Sequence, residues 1–568
     1  MKLKISKGLI IAIISVVLIG LIAGIILYKR YSPGKEMANL KNYYGLEADN
    51  EAAVILQDKL TEKKAIFTQG ECYIDIGIVR EFFNEAFYYD STEDKLLYTT
   101  ATSIISANSD EPKYRIDNKN KKFGKPVFVV RGEEETKVAY ISIEFVAEYS
   151  PITYKTYKKP NRIVINYKFD KDETYRNAAQ NVALRYRAGI KSKILKNVKK
   201  GEKLKVIDSH VDDNGYIKAM EESGLIGYVK AKRLGESYTK KLTIDFEEET
   251  YTHNLLDKKI CLAFHQIFAQ AANGDLESMI AEADGVNVLA PSWFQVDGNK
   301  GAVSSLASYD YVETAHDKNI QVWGMVDDYA NNSKIGTVLG QTTTRQRLCK
   351  NIVAEAIKYD LDGINIDFEN VKSDGVDAFV QFIREISILC RKNGLVLSID
   401  NYPLMSYNQS FNRKAQAEVA DYVVTMAYDE HNSNSEEAGP VASLSYVQDS
   451  VKNILTEVPA NQNIIALPFY SRMWVTKKKK LTSQSYGMGE AYRAATEGGA
   501  KFTWDDKTSM NYASYTANGA KYEMWLEDQA SLELKMKVVK KNDMAGMAFW
   551  KLGLEESSIW RSVAKYCR

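Results

Sequence analysis

Cysteine and histidine are scarce in this chain, and the few present are scattered. The five cysteines (Cys72, Cys261, Cys349, Cys390 and Cys567) contain no CxxC pair, so neither a disulfide framework nor a zinc site is indicated. Cys261 and Cys390 sit in apolar runs and read as small buried hydrophobes. The five histidines show no HxxxH or HExxH spacing, so neither a metal nor a cofactor is expected. An excess of one charge is also missing. The 75 basic residues nearly cancel the 74 acidic ones, which leaves no basic surplus for a nucleic-acid partner. Apolar content of 45% and charged content of 26% exclude wholesale disorder, and 568 residues predict about three or four domains.

Only one hydrophobic run is long. Residues 8–27 are apolar apart from Ser15 and glycines, with Lys2, Lys4 and Lys7 before them and Tyr28-Lys29-Arg30 after. About twenty such residues span a bilayer as a helix. A cleaved signal peptide is the rival reading, but no small-x-small cleavage site follows the run. Residues 1–30 are therefore read as a cytoplasmic tail and an uncleaved signal anchor. With no second span, everything after residue 30 is expected on one side of the membrane, outside the cytoplasm.

The parts that follow differ in pattern. Residues 74–82 (IDIGIVREF) and 141–149 (ISIEFVAEY) share apolar positions and a glutamate, Glu81 and Glu148, each reading as a short strand running into an amphipathic turn. This α+β region, 36–170, resembles the copper amine oxidase N-terminal-like module of bacterial surface proteins, which carries no copper site; the resemblance implies a stalk or wall contact. Residues 178–237 change to short strands, and LRYRAG…KGEKLKVI…GYVKAKRL resembles a bacterial Src-homology-3-like domain, a small β-barrel that either binds wall peptides or has no ligand. From 258 to 568 strands and helices alternate. Strands are predicted at 260–264, 286–290, 321–325, 363–368, 395–399, 422–426, 464–467 and 546–549, with helices at 345–359, 376–392, 444–458 and 531–540. Eight such units predict a (β/α)8 TIM barrel, with an extra subdomain between strands seven and eight.

The predicted fourth strand reads DGINIDFE. Alternation puts Asn365, Asp367 and Glu369 on one face and Ile364, Ile366 and Phe368 on the other. In a barrel the apolar set meets the helices and the polar set lines the interior. Two carboxyls so close cannot both ionise easily, so one keeps its proton near neutrality. Glu369 lies at the C-terminal mouth, where barrel sites sit, and is the better-placed acid; Asp367, one step deeper, is expected to share hydrogen bonding with it.

DGxxxDxE on strand four resembles glycoside hydrolase family 18, the chitinase-like hydrolases. MAYD at 426–429 is similar to the family's MxYD motif, LPFYSRMW at 467–474 to its LPxYGRxW segment, and GMAFW at 546–550 to the tryptophan-bearing end of strand eight. The resemblance implies a retaining reaction in which Glu369 protonates the leaving oxygen and the substrate's own 2-acetamido carbonyl attacks C1 to form an oxazolinium ion. It implies that Asp367 orients the acetamido N–H and stabilises the cation, and that the Tyr428 hydroxyl holds the acetamido oxygen. Trp550 would form the floor beneath the sugar, and Asn365, Asp429, Tyr470 and Met426 are further candidate substrate contacts. Two departures stand out. Many chitinases carry an acid where this chain has Asn365, and the strand-three SxGG segment is replaced by WGMVDDY. The DGINIDFENV and MAYDEH runs look closer to the spore-cortex and cell-wall branch.

These readings together predict a membrane-anchored cell-surface or spore-envelope hydrolase acting on N-acetylglucosamine linkages of an N-acetylated glycan, peptidoglycan or a chitin-like polymer, in the cell wall. A chitinase or an endo-β-N-acetylglucosaminidase acting on N-glycans is the first alternative. A catalytically idle sugar-binding surface protein is the second, and the retained Glu369 weighs against it.

Overall fold

The computed structural model describes residues 6–133 and 136–567. Lys2 and Lys4, quoted beside the apolar run, and Arg568, at the end of the predicted barrel, lie outside the described residues. The chain forms two compact units. One comprises Met1–Phe87, Ala107–Tyr114 and Lys121–Glu248; the other comprises Tyr88–Ser106, Arg115–Asn120 and Glu249–Arg568.

The first unit opens with the 25-residue helix Lys7–Tyr31, in which no residue is buried and whose last turn carries Lys29 and Arg30. Among the described residues it is the one helix long and apolar enough to cross a membrane. Next comes a seven-stranded mixed sheet in the order Thr153–Tyr157, Arg162–Asn166, Glu51–Leu56, Lys59–Thr68, Glu71–Asp75, Val138–Ser142 and Phe128–Arg131. The two similar sequence stretches share a strand-into-helix start, although the first continues into a π-helix, Val79–Phe83, and the second does not. Each strand runs into a short helix (Ile76–Ile78, Ile143–Glu148) through a residue at φ −51°, ψ 126° (Asp75, Ser142). The two strands are antiparallel neighbours, with Ile141 opposite Ile74.

A second sheet has seven antiparallel strands, Ile194–Val198, Val182–Arg185, Ile226–Lys230, Tyr216–Glu221, Lys203–Asp208, Asp172–Ala178 and Leu234–Lys241, in that order. It exceeds the expected 178–237 at both ends because Asp172–Ala178 and Leu234–Lys241 pair with each other, from Asp172 opposite Lys241 to Ala178 opposite Leu234. Leu184, Leu204, Ile217 and Val229 supply its buried side chains.

Two segments within the expected 36–170 module, Tyr88–Ser106 and Arg115–Asn120, cluster with the second unit. Leu97 enters the large apolar core there, and Asp90 Oδ2 accepts both the backbone N–H and the hydroxyl of Thr342 at 2.6 and 2.7 Å, satisfying a helix N-terminus. Thr99 Oγ1 accepts from Gln381 at 2.9 Å. Periodicity along the chain carries no trace of these contacts, which are long-range and polar.

The second unit is the closed barrel. Its strands are β1 (Ile260–His265), β2 (Val288–Asp297), β3 (Gln321–Asp327), β4 (Gly363–Asp367), β5 (Val396–Asn401), β6 (Tyr422–Met426), β7 (Asn463–Pro468) and β8 (Gly546–Trp550). All neighbouring pairs are parallel, and β1 pairs with both β2 and β8, which closes the ring. Alternation sorts the faces. Ile364, Ile366, Leu397, Ile399 and Leu467 meet the surrounding helices; Leu262, Val288, Trp323, Met325, Val424 and Ala466 form a separate interior cluster. The largest departure from the predicted strand bounds is at β2. β2 starts two residues later and runs on to Asp297, where it forms a hairpin with Ala302–Ser305 beyond the barrel. The predicted helix at 444–458 ends at Ile454.

The link between β7 and β8 is the expected subdomain, a five-stranded sheet with the helix Met488–Glu497. Its return to the barrel is tied by a fully buried ion pair. Lys535 Nζ donates to Glu527 Oε2 at 2.6 Å, both side chains being 0% exposed, while the Glu527 N–H donates to Ser471 Oγ at 2.7 Å on the outgoing strand. Removing one member of such a pair strands the other charge in a low dielectric, so Lys535→Met should cost about 3–5 kcal/mol. Removing both charges with Glu527→Leu/Lys535→Met should recover most of that loss. Urea unfolding followed by tryptophan fluorescence checks the order: parent and double variant close together, the single variant well below.

Candidate active site

β4 delivers Asn365 and Asp367 to the barrel interior, as alternation requires, and ends at Asp367. Glu369 therefore stands on the first turn beyond the strand. Its backbone is fixed from the loop after β3: Asp328 Oδ1 accepts the Glu369 N–H at 3.1 Å and Asp328 Oδ2 accepts the Asn370 N–H at 2.9 Å. The Glu369 carboxyl is held by two phenols. Tyr329 donates to Oε1 and Tyr402 to Oε2. The expected bond between Asp367 and Glu369 is absent among the described residues. Instead Asp367 Oδ1 is buried without a partner. Past the strand end the backbone leaves the alternating path, and the carboxyl turns to the loop tyrosines.

Asn365 is fully buried and lines neither cavity at the mouth. Its expected place among the substrate contacts is corrected: Nδ2 donates to Asp400 Oδ1 at 2.7 Å and to Ser398 Oγ at 3.0 Å on β5, beneath the surface that a substrate could touch. Asp400 was not anticipated. The signal was present, since Val396, Ser398 and Asp400 alternate with Leu397 and Ile399 just as the β4 residues do.

The mouth holds two cavities. The first, about 500 Å³, is lined on its polar side by Asp327, Asp367, Glu369, Asp400 and Asp429, with Trp550 and Tyr470 among its aromatics. The second, about 590 Å³, is lined by Tyr402, Tyr407 and Tyr446 among others. Glu369, Asp400, Met426, Tyr428 and Asp429 border both. Of the candidate residues, then, all but Asn365 are brought together. The Tyr428 hydroxyl has no hydrogen-bond partner among the described residues, and its ring meets Tyr470 edge-on at 6.5 Å. Tyr470 donates its hydroxyl to Asp429 Oδ1 at 2.6 Å, with Asp429 in the left-handed region at φ 57°. The Trp550 ring lies 5.3 Å from Phe264, and its backbone oxygen accepts the Phe469 N–H at 2.7 Å. Tyr329 and Tyr402 were also missed, because loop residues carry no period from which to place them; Asp327, the last residue of β3, lay beyond the predicted strand end at 325.

Among the described residues five carboxyls line the first cavity, and no lysine, arginine or histidine does. Burial pushes the Asp367 carboxyl well above the usual range, reinforced by Asp400, Glu369, Asp327 and Asp328. Burial likewise raises Glu369; the Tyr329 hydrogen bond opposes this, and Asp328 and Asp429 add to it. Asp400 is pushed up to about 8, by burial first and by Glu369, against the Asn365 amide. The arrangement raises the proton affinity of the acid at the mouth, where a bound molecule can reach it, and of the group beneath it.

Known proteins share this architecture. Residues 238–555 match the model of Glycosyl hydrolases family 18. The chain is 27% identical over 248 residues to the cortical fragment-lytic enzyme of Bacillus subtilis (strain 168), covering 41% of this chain and 57% of that protein. It is 25% identical over 294 residues to an uncharacterized glycosylase of the same organism, YvbX, covering 49% of this chain and 84% of that one. In fold it is similar to the Bacillus cereus spore cortex-lytic enzyme SleL, with a TM-score of 0.50 at 19% identity, over 58% of this chain and 77% of that chain. The chain thus spans little more than half the length of the first of these relatives. Because the matched segment covers more than half of the 568 residues and contains the whole site, the chain belongs to glycosyl hydrolases family 18.

Proposed function

We propose that the barrel is a retaining glycosidase that cleaves N-acetylglucosamine linkages of peptidoglycan by substrate-assisted catalysis. The observation that carries the reading is the setting of Glu369: a carboxyl whose proton affinity is raised by burial and neighbouring acids, bordering two cavities of about 500 and 590 Å³. In the proposed reaction the Glu369 O–H bond breaks and its proton goes to the glycosidic oxygen. The C1–O bond breaks with its electron pair staying on that oxygen, and the acetamido oxygen bonds to C1. Asp367 accepts the acetamido N–H and faces the oxazolinium charge, Tyr428 donates its unpartnered hydroxyl to the acetamido oxygen, and Trp550 supports the ring face. Asp429 and Tyr470, already joined to each other, and Met426 border the same sugar. Water then gives Glu369 a proton, attacks C1 and restores the acetamide with net retention.

Peptidoglycan as the polymer is supported by the relative named as a cortical fragment-lytic enzyme and by the exposed apolar helix, which suits a signal anchor or signal sequence at a surface that faces the wall. On this reading the protein sits at the cell surface or spore envelope. The paired strand–helix segments would serve as a copper amine oxidase N-terminal-like stalk, and the second sheet as a Src-homology-3-like wall contact.

Three outcomes are expected of the full-length protein in detergent micelles, incubated with purified peptidoglycan or with chitin oligosaccharides and read by mass spectrometry. New reducing ends should be N-acetylglucosamine; N-acetylmuramic acid ends would assign the other bond and overturn the polymer reading. Glu369→Gln should lower kcat by about 10²–10⁴-fold, since an amide cannot donate the proton. Asp367→Asn, which keeps the shape and loses the ability to ionise beneath the developing cation, should lower kcat by about 10²–10³-fold with KM little changed.

A further inference from the structure

Both oxygens of the proposed proton donor are already engaged, and neither partner belongs to the strand that carries it. Tyr329 reaches Oε1 from the loop after β3 and the wall of the first cavity; Tyr402 reaches Oε2 from the end of β5 and the wall of the second. Their backbones are pinned. Asp327 Oδ1 accepts the Tyr329 N–H at 3.1 Å, and Arg413 Nη2 donates to the Tyr402 carbonyl at 3.0 Å. Their side chains are not enclosed, at 49% and 45% exposure of the residue. Two phenol donors on one carboxyl match its ionised form, because an anionic carboxylate accepts at both oxygens and donates at neither.

Among the described residues, the other charges that line the first cavity or act on this carboxyl have the opposite effect. Asp327 ends β3 and Asp328 follows it, Asp367 lies on β4, Asp400 on β5 and Asp429 after β6, and all are acids. Arg413, on the wall of the second cavity, directs its Nη atoms to the carbonyls of Asn408 and Tyr402. A donor surrounded in this way holds its proton but gives it up poorly, since the carboxylate left behind is unstable. We propose that Tyr329 and Tyr402 are positioning residues that stabilise the Glu369 carboxylate at the moment its proton passes to the leaving oxygen. The proposal rests on the reading of Glu369 above. When the Glu369 O–H bond breaks and the new O–H bond forms on the departing sugar, the negative charge on Glu369 is shared by two phenol O–H groups that are already aimed at it. The same pair releases the carboxylate when it takes a proton from water in the second half of the reaction. Hydrogen bonding of Tyr329 to Glu369 lowers the carboxyl's proton affinity against the effect of burial, in keeping with this role.

Tyr329→Phe and Tyr402→Phe keep the rings and remove the donors, so Glu369 should become a weaker acid with a higher pKa. For chitotetraose, kcat should fall roughly tenfold per hydroxyl removed, the scale of a hydrogen bond to a charged group. The alkaline limb of the pH profile should move upward by about one pH unit. For 2,4-dinitrophenyl chitobioside, whose leaving group needs no proton, the variants should match the parent. An equal loss on both substrates, or an alkaline limb that does not move, would overturn the proposal, because a merely structural role predicts that pattern. Glu369→Gln run alongside separates the two claims. If it loses the tetrasaccharide and keeps the activated substrate while the phenylalanine variants behave like the parent, the donor stands and the tyrosine role fails; if Glu369→Gln is as active as the parent on both, the donor itself is wrong.

Discussion

The site depends on one constraint: carboxyls gathered at the mouth of a closed barrel with no cation, among the described residues, lining the cavity they share. An isolated buried carboxylate is expensive, and the usual remedies are a salt bridge or a lost charge. Elsewhere in the second unit the first remedy is used, with Arg345 against Glu385 and Lys535 against Glu527, all at most 1% exposed. At the mouth the balance shifts toward the second. Glu369, Asp367 and Asp400 all hold protons more tightly than free carboxyls do. The difference between the two remedies separates a structural ion pair from a poised acid. It also explains why the cluster can stay: the outer faces of the strands that carry it bury isoleucine, leucine and phenylalanine against the helices, so the cost is met away from the site.

Legibility in the sequence followed how local each cause was. The barrel could be read because the alternation on β4 and the helical period of Val376–Lys392 are properties of contiguous residues, and the latter's bounds came out as predicted. Glu369 and Asp367 could be placed because two residues along one strand share a face. The same rule would have placed Asp400 on the interior, but an aspartate beside an asparagine at the end of a strand reads equally well as a turn. Tyr329 and Tyr402 obey no period; only the fold brings loops after β3 and β5 to the same carboxyl. The joining of Tyr88–Ser106 to the barrel unit is hidden for the same reason, since Asp90 and Thr342 are 252 positions apart.

Asn365 shows how a motif can match while a role shifts. Read along β4 alone, it is a polar residue on the catalytic face. In three dimensions it lies one layer below and turns its amide to β5, so the face above it belongs to Asp400. A strand-by-strand reading assigns function by direction, whereas a barrel assigns it by depth, and depth is set by the register between neighbours, with Asn365 level with Ser398.

That register bears on how the proposed chemistry divides its labour. One residue beyond the last pair, Asp367 on β4 stands level with Asp400 on β5, while Glu369 has left the strand altogether. The deep pair has little freedom: it can respond to a cation above it but cannot reach a leaving group. The shallow acid borders both cavities and can reach across the bond between two sugars, yet its position rests on loop contacts from Asp328, Tyr329 and Tyr402. A buried acid pair beneath the first sugar, which ionises more readily once a cation forms above it, and a loop-held acid at the partition suit a reaction in which charge develops at C1 while the oxygen beyond it departs. No second carboxylate is then needed as a nucleophile, provided the substrate brings its own acetamide, and the unpartnered Tyr428 hydroxyl is the group left to receive it.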